Sequence, residues 1–197
     1  NPHIIGELLF SYNKEIRKKS VYTQIRNVFP TESYQNVLQK DGYEFEDHLN
    51  IIVDLSKDTE TLWKEVHSKR RNEIRKSKKE KCTFGFKNDE ASLRQCYHIL
   101  KEVYHNAKLP LPHLEFFMNL HKCSDERNGM FIFTANYEGK IIGCMLALYF
   151  NKTLYDFYAG AYRSYYNKHP NDLIPWEVFI WGKQNSFTSF DFGGAGR

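Results

Sequence analysis

A cluster of basic residues is the first feature of this sequence that suggests a chemical role. Arg71, Arg75 and Lys78 are four and three residues apart, so a helix would place them on one face. Guanidinium groups on a helix face suit bidentate binding of phosphate oxygens. The same pattern is also compatible with a solvated charged surface. The cluster points to a phosphate-bearing partner more strongly than the formal net charge of +4 does.

A second group of polar residues lies in a β-prone run near the C-terminus. Strand alternation predicts that Asp156, Tyr158 and Gly160 share one side of a strand. Asp156 beside Tyr158 is typical of the polar lining of a groove. The alternative is that Tyr158 is a core tyrosine whose hydroxyl group is hydrogen-bonded.

Two further residues are candidates for acid–base or orienting roles. His169 precedes a predicted helix and could be a general base, although a local hydrogen bond is the favoured interpretation. Asp191 could orient a neighbour, but a bond to nearby backbone is favoured. The segment 189–197 (SFDFGGAGR) ends in closely spaced glycines, which allow positive φ and close approach of another group. We therefore expect it to continue into a site.

Composition limits the class of protein. With 197 residues, 41% of them apolar and 16% aromatic, the chain can build a substantial core, which excludes disorder. None of the four cysteines has CxxC or zinc-finger spacing, so we expect reduced thiols and no metal site. No signal peptide and no apolar run of ~20 residues is visible, which predicts a soluble cytoplasmic protein. A first residue other than Met suggests a processed piece.

Periodicity predicts the elements that position these residues. Helices are predicted over residues 4–19, 32–40 (capped by Thr31), 57–80, 90–105, 114–122 and 170–184. Strands are predicted over residues 21–26, 43–45, 49–55, 83–86, 130–137, 141–150, 153–162 and 189–192. The almost wholly apolar run 49–55 predicts a buried strand. Pro175 is expected to be tolerated only in the first turn of its helix.

The order of these elements predicts an α+β fold with a mixed sheet and helices on both faces. A final strand–helix–strand crossover requires a parallel or splayed pair of strands. Ligands of such sheets bind where neighbouring strands part, beyond their carboxyl ends. We therefore expect residues 158–160 and 192–194 to surround one cleft. No P-loop, nucleophile-elbow, HExxH or GxGxxG motif is present, which weakens the corresponding enzyme classes.

An ordered series of short segments resembles the second half of FemAB-type proteins, which are peptidoglycan-bridge aminoacyltransferases with the GNAT acyltransferase fold. The segments are residues 70–76, 110–112, 116–117, 138–143, 158–161, 176 and 191–194. The resemblance covers residues 57–197. It implies that residues 1–54 are the C-terminal part of a first GNAT-like domain. Residues 55–197 would then be a second GNAT-like acyltransferase domain, truncated at its C-terminus.

This resemblance implies transfer of an aminoacyl group to the amine of a nucleotide- or lipid-linked muramyl peptide in bacterial cell-wall synthesis. The implied donor is aminoacyl-tRNA, with no resident cofactor, whereas relatives of the same fold are N-acetyltransferases. By position, Arg71, Arg75, Lys76 or Lys79 would contact the diphosphate of the acceptor, and Tyr158 would line the acceptor groove. The sequence identifies no catalytic residue.

Two departures from the family pattern affect these expectations. Residues 163–170 contain no glycine, so a backbone cradle for the pyrophosphate of CoA is not expected. The family's Phe-Lys pair, whose lysine would stabilise charge on the reacting carbonyl, would lie beyond Arg197. An acetyl-CoA-dependent N-acetyltransferase remains an alternative. Alternatives of other classes are a nucleic-acid-binding module that uses the basic helix 57–80, and a non-catalytic scaffold.

Overall fold

The computed structural model describes residues 2–25, 32–46 and 49–194. Its contacts divide the chain between residues 48 and 49 into two units. The first unit contains helix α1, Pro2–Ile16, and helix α2, Gln35–Lys40. Within this unit the Tyr43 hydroxyl donates a 2.8 Å hydrogen bond to Oδ1 of Asn13 and so joins the segment after α2 to α1.

The strands predicted for the first unit are not found among its described residues. Residues 21–25 and 43–46 have no regular secondary structure, because β-prone residues form a strand only where a neighbouring strand pairs with them. Helix α2 begins at Gln35 rather than at Glu32. Arg26 and the predicted cap Thr31 lie outside the described residues. That residues 1–54 are part of a first GNAT-like domain stays a prediction.

The second unit is built on a six-stranded sheet. The strands are β1 Asn50–Asp54, β2 Thr83–Lys87, β3 Asn128–Tyr137, β4 Lys140–Phe150, β5 Thr153–Ala161 and β6 Ser189–Gly194. The helices are α3 Thr59–Glu65, α4 Ser68–Lys79, α5 Glu90–Asn106, α6 Leu114–Lys122 and α7 Pro170–Gln184, with a 3-10 helix at Arg163–Lys168. The strand order is β1-β6-β5-β4-β3-β2, and only β5 and β6 are parallel.

Two tight turns connect the three central strands. Glu138 and Gly139, with φ of 49° and 76°, join β3 to β4, and Asn151 and Lys152, with φ of 45° and 62°, join β4 to β5. Two successive residues of positive φ are characteristic of type I′ turns, whose twist suits adjacent antiparallel strands. The link from β5 to β6 instead passes through α7, which allows these two strands to run parallel.

Helices cover both faces of the sheet, as predicted. Alternate residues of β3 enter two separate cores, with Phe133 in one and Ile132 in the other. The first core, here the α7 face, contains Ile74 of α4 and Leu173 of α7. The second core, here the α5 face, contains residues of α5 and α6, among them Phe117. The predicted α+β class with a mixed, GNAT-like sheet is confirmed.

The prediction of a single helix over residues 57–80 is wrong, because the helix is interrupted at Val66 and His67. Both residues are extended, with ψ of 128° and 138°, and the break separates α3 from α4. Arg71 donates from Nη1 to the carbonyl oxygens of Trp63 and Lys64, at 3.3 and 3.2 Å, and so satisfies the end of α3. A β-branched residue before a capping histidine is a weak signal, and no glycine or proline marks the break.

Strand β1 is at the edge of the sheet, so the prediction of a buried strand is also wrong. Ile51 and Ile52 are 52% and 63% exposed, because β1 pairs only with β6 among the described strands. The pairing with β6 also places residues 50–54 in the second unit, whereas the sequence prediction put the domain boundary after Asp54.

The described chain contains no helix that is both long and apolar enough to cross a bilayer. All four cysteines are free thiols; Cys123 is exposed and the other three are buried.

Candidate functional site

Strands β5 and β6 separate after a short parallel ladder. Residues 153–155 of β5 pair with residues 189–191 of β6, and no further pair forms between them in the described part of the chain. Beyond this ladder β5 continues along β4, while β6 continues along β1. The separation leaves an open edge on β5 facing a gap, which is the position where sheets of this kind bind ligands.

Asp191 and Gly193 hold the bend of β6 at this separation. The buried carboxylate of Asp191 accepts a hydrogen bond from the backbone N–H of Gly193 at 2.7 Å and another from Nδ2 of Asn50 at 2.9 Å. Gly193 has a φ of +74°, and a Cβ at this position would lie 3.0 Å from the hydroxyl oxygen of Tyr155. Glycine is therefore required here, and Asp191 bonds nearby backbone as the sequence predicted.

A cavity of about 290 Å³ opens between the separated strands. Strand β5 lines it with Asp156, Ala159, Gly160 and Ala161. The 3-10 helix and α7 line it with Tyr166, Asn171, Ile174 and Pro175. The remaining wall is formed by Val103, Cys144, Met145 and Phe192. The cleft therefore lies where the sequence predicted it, with Gly160 and Phe192 in its walls, and Asp156 is the one carboxylate among the described residues that line it.

The carboxyl group of Asp156 is the group of this cavity best suited to acid–base chemistry. Its carboxylate is half-buried and receives no hydrogen bond from the residues that the structure describes. Burial raises the pKa of Asp156 from 3.8 to about 6. A carboxyl group whose pKa lies near neutrality is suited to accept and release a proton. The sequence pattern predicts Asp156 only as groove lining; the signal for more is one carboxylate in the otherwise uncharged strand TLYDFYAGA.

A β-bulge at Phe157 turns Asp156 away from Tyr158, which corrects the predicted alternation. Asp156 lies opposite Ala147 of β4, whereas Tyr158 lies opposite Leu146, so Phe157 is the extra residue. Ala147 belongs to the core of the α7 face and Leu146 to that of the α5 face. Asp156 and Tyr158 therefore lie on opposite faces of the sheet.

Tyr158 packs into the aromatic part of the α5 face. Its ring centroid lies 5.3 Å from that of Tyr104 and 5.0 Å from that of Phe117. Burial raises the pKa of the Tyr158 hydroxyl. Tyr158 is not among the residues that line the cavity. Its predicted contact with an acceptor stays a prediction.

Pro175 is in the second turn of α7, beyond the first turn where the sequence analysis expected it to be tolerated. Proline has no N–H group, so α7 cannot form the bond from residue 175 to the carbonyl oxygen of Asn171. Asn171 and Pro175 both line the cavity. The carbonyl oxygen of Asn171 therefore lacks its usual helical donor.

The predicted phosphate-binding residues lie on α4, and none of them is among the residues that line the cavity. Arg71 is engaged with the carbonyl groups at the end of α3. Arg75 stacks over the ring of Trp63, with its guanidinium carbon 5.2 Å from the ring centroid. Lys76 and Lys79 are exposed. Binding of an acceptor diphosphate by these residues stays a prediction.

His169 belongs to a polar cluster between α4 and α7. It begins α7 with a φ of 53°, and potential ligand atoms of His169, Glu73 and Asp172 lie within 4.8 Å of one another. Nη1 of Arg70 lies 2.7 Å from Oδ1 of Asp172, so a guanidinium already supplies the positive charge that this cluster favours. His169 does not line the cavity and is not placed to act as its general base.

A second depression, of about 360 Å³, lies between α5 and α6. Its polar residues, Arg94, His113 and Glu115, are exposed. The hydroxyl group of Tyr97 in its wall donates a 3.0 Å hydrogen bond to the carbonyl oxygen of Pro112. Because its charged groups are solvated, this depression is less suited to acid–base chemistry than the cavity around Asp156.

The sequence model of the acetyltransferase (GNAT) domain family matches residues 65–197. This range includes α4, the separated strands and every residue that lines the cavity. The chain belongs to the acetyltransferase (GNAT) domain family. The predicted acyltransferase class is thereby confirmed for this GNAT chain. Comparison with curated protein sequences gave no match.

Solved structures share the fold of this GNAT chain at low sequence identity. FemX matches with a TM-score of 0.72 and 13% identity, over 99% of this chain and 69% of FemX. The C-terminal DUF2156 domain from Agrobacterium fabrum, assigned as a lysylphosphatidylglycerol synthetase, matches with a TM-score of 0.68 and 11% identity, over 96% and 60% of the two chains. L-PGS from Bacillus licheniformis matches with a TM-score of 0.58 and 17% identity, over 82% and 51%. This GNAT chain thus spans between about half and 69% of the length of these structures, and the fold implied by the predicted resemblance is confirmed.

Proposed function

We propose that this GNAT domain transfers an acyl or aminoacyl group from an activated ester or thioester to an amine, with Asp156 as the general base. The observation that carries the proposal is that Asp156 is the one carboxylate among the described residues that line the cavity. Burial raises its pKa to about 6. A base of this pKa is ionised at neutral pH and still takes up a proton readily during the reaction.

The expected reaction begins with an acceptor that enters as an ammonium ion. The carboxylate of Asp156 attracts this cation and removes one proton, while the carbonyl oxygen of Asn171 accepts a hydrogen bond from the same nitrogen. The neutral amine then attacks the carbonyl carbon of the donor, so that a C–N bond forms and a C–O or C–S bond breaks. As that bond breaks, the nitrogen loses its second proton to the leaving oxygen or sulfur, and the proton held by Asp156 is released to solvent. The open edge of β5 offers backbone N–H groups to the developing oxyanion.

The donor that we propose is aminoacyl-tRNA, with acyl-CoA as the alternative. The segment before α7, where a glycine-rich cradle for a pyrophosphate would lie, is a 3-10 helix. Its N–H groups are used internally: those of Tyr165 and His169 bond the carbonyl oxygens of Tyr162 and Tyr166, at 2.9 and 3.0 Å. Few N–H groups are therefore left to hold the pyrophosphate of CoA.

The acceptor that we propose bears phosphate and carries an amine, as a nucleotide- or lipid-linked cell-wall peptide does. The names FemX and lysylphosphatidylglycerol synthetase of the similar folds support a cell-wall or lipid acceptor. Lys76 and Lys79 of α4 are exposed and form no ion pair with the described carboxylates, which leaves them available to a phosphate. Location in a bacterial cytoplasm is part of this proposal.

The test is a transfer assay with the intact protein, in which aminoacyl-tRNA and acetyl-CoA are compared as donors to UDP-muramyl-pentapeptide. Asp156→Asn is expected to lower turnover by roughly 10²- to 10⁴-fold. Glu115→Gln, which removes a carboxylate from the second depression, is the matched control and should leave turnover unchanged. For the unaltered protein, kcat/KM should fall as the pH drops below about 6, because Asp156 becomes protonated. Full turnover by Asp156→Asn would contradict the assignment.

A nucleic-acid-binding module is the alternative of another class. It predicts that duplex RNA or DNA binds α4 with a steep salt dependence, whether or not any donor is present. Loss of that binding in the double variant Lys76→Gln/Lys79→Gln, together with no transfer from either donor, would favour the binding module over the acyltransferase.

A further inference from the structure

Helix α4 is tied to α7 and to the 3-10 helix before it by ion pairs. Three such pairs cross between these elements, each with one largely buried side chain. They are Arg70 with Asp172 at 2.7 Å, Lys78 with Glu177 at 2.6 Å, and Lys168 with Glu80 at 2.7 Å. The charged surface of α4 thus has a definite structural partner, which is the segment that forms one wall of the cavity.

The pair between Arg70 and Asp172 is the one in which a carboxylate is most deeply buried. The side chain of Asp172 is 9% exposed and that of Arg70 is 62% exposed. The same guanidinium nitrogen lies 3.3 Å from Oε2 of Glu73. Burial raises the pKa of Asp172, and Arg70 acts against this rise. Removing the guanidinium would leave two neighbouring carboxylates without a cation, which is strongly unfavourable at a buried position.

Asp172 is located in the first turn of α7, between residues that form the cavity wall. Asn171 precedes it and Ile174 follows two residues later, and both line the cavity. The start of this turn is also tightly packed, since a Cβ on Gly143 of β4 would lie 2.9 Å from Cβ of Pro170. A shift of the Asp172 backbone therefore moves the cavity wall.

We propose that Arg70 is a positioning residue, whose ion pair with Asp172 holds the first turn of α7 at the distance from β5 that the reactants require. Arg70 lies outside the cavity and acts through Asp172 and the adjoining Asn171. The inference rests on the proposed acyl transfer for its kinetic consequence, but the position of the wall can be measured without that reaction.

The chain provides a matched control in Lys78 and Glu177. This pair joins the same two helices at almost the same distance, and its side chains are 52% and 20% exposed. Glu177 follows the last α7 residue that lines the cavity, Pro175. Loss of either pair removes one ion pair between α4 and α7, but only loss of the Arg70 pair releases the turn that contains Asn171.

The experiment compares Arg70→Gln, Arg70→Lys and Lys78→Gln in the intact protein. Kinetics of acyl transfer form one readout, and the pKa of Asp156, followed by ¹³C NMR of its carboxyl carbon, forms the other. Arg70→Gln should lower kcat/KM by about 10- to 100-fold, since small misplacements of reacting groups have effects of this size. It should also shift the pKa of Asp156 from about 6 towards 3.8, because water enters the widened cavity.

Lys78→Gln should leave kcat/KM and the pKa of Asp156 unchanged. Arg70→Lys keeps a positive charge beside Asp172, so it should retain most of the kcat/KM and most of the raised pKa of Asp156. Equal changes in Arg70→Gln and Lys78→Gln would show that the pair only stabilises the fold and would overturn the proposal, as would an unchanged Asp156 pKa in Arg70→Gln. If the unaltered protein transfers no acyl group from either donor, the proposed function fails. The NMR comparison then still decides whether Arg70 positions the wall.

Discussion

Both faces of the sheet pack aromatic rings, such as Phe133 and Trp181 on the α7 face with centroids 5.0 Å apart, but the faces differ in the ion pairs that join their helices. On the α7 face, ion pairs with buried carboxylates join α4 to α7 beside a cavity that contains one carboxyl group. On the α5 face, Tyr104, Phe117, Phe157 and Tyr158 form a continuous aromatic cluster. The ion pairs there, such as Lys122 with Glu90, are between exposed side chains.

This difference separates positioning from stability. Aromatic packing contributes a large stabilisation, because it removes a large apolar area from water. Ion pairs contribute little net stability when their desolvation is included, but they fix the relative position of two helices. We therefore expect variants of the buried aromatic residues to change the free energy of unfolding, and variants of the ion pairs and the carboxylate on the α7 face to change activity and its pH dependence.

The largest expected effect on stability is that of Phe117→Ala. Phe117 is fully buried and contacts the ring of Tyr158, so truncation leaves a cavity and should lower the free energy of unfolding by about 3–5 kcal/mol. Urea denaturation measures this change. The neighbour Phe116 is 43% exposed, so Phe116→Ala is the matched control, with an expected loss of less than about 1 kcal/mol. Similar losses in both variants would mean that the aromatic cluster is not the main support of this face.

Asp156→Asn should have the next largest effect on the free energy of unfolding, which it should raise rather than lower. Below pH 3.8 the carboxyl group is protonated in both the folded and the unfolded protein; above pH 6 it is ionised in both, and only the folded protein has to bury the charge. The carboxyl group therefore lowers stability progressively between these two pH values. Relative to the unaltered protein, Asp156→Asn should gain stability by roughly 2 kcal/mol between about pH 4.5 and about pH 8.

Thermal or urea unfolding of both proteins across that pH range measures the gain. A constant difference at all pH values would show that Asp156 is not desolvated in the folded protein. The gain in stability should accompany the loss of turnover described above, which is the expected relation for a residue that serves the reaction rather than the fold.

Tyr158→Phe should have the smallest effect. The hydroxyl group of Tyr158 has no hydrogen-bond partner in the described part of the chain, so its removal should change stability by less than about 0.5 kcal/mol. Because the ring lies on the α5 face, turnover should also stay within about threefold of the unaltered protein. A tenfold or larger fall in turnover at unchanged stability would confirm Tyr158 as a substrate-binding residue and would extend the site across both faces.

The parts of the fold that the sequence predicted well are those specified by local patterns. Helix α7 matches its predicted bounds of 170–184, and the hairpin of β3 and β4 follows from two apolar runs around Glu138-Gly139. The separation of β5 and β6 also followed from the order of the elements and from the glycines after Phe192. In each case residues that are close together in the sequence determine where the element begins, turns or ends.

The errors arose where distant residues decide the structure. Residues 50–54 have the composition of a buried strand, but their exposure depends on pairing with β6 alone, about 140 residues later. The break at Val66 depends on Arg71, which completes the end of α3. The raised pKa of Asp156 is the result of burial between β5 and α7, and no local pattern in the sequence reports it.

The bulge at Phe157 has a consequence for evolution and for protein engineering. Because Phe157 is an extra residue, two side chains that are two positions apart in the sequence face opposite sides of the sheet. Asp156 faces the cavity and Tyr158 faces the core of the α5 face. Deleting Phe157 would make this part of β5 regular, with Asp156 still opposite Ala147 and Tyr158 still opposite Leu146 on the other face. A homologue that lacks the extra residue would therefore need a one-residue gap at Phe157 for its carboxylate to be matched to Asp156.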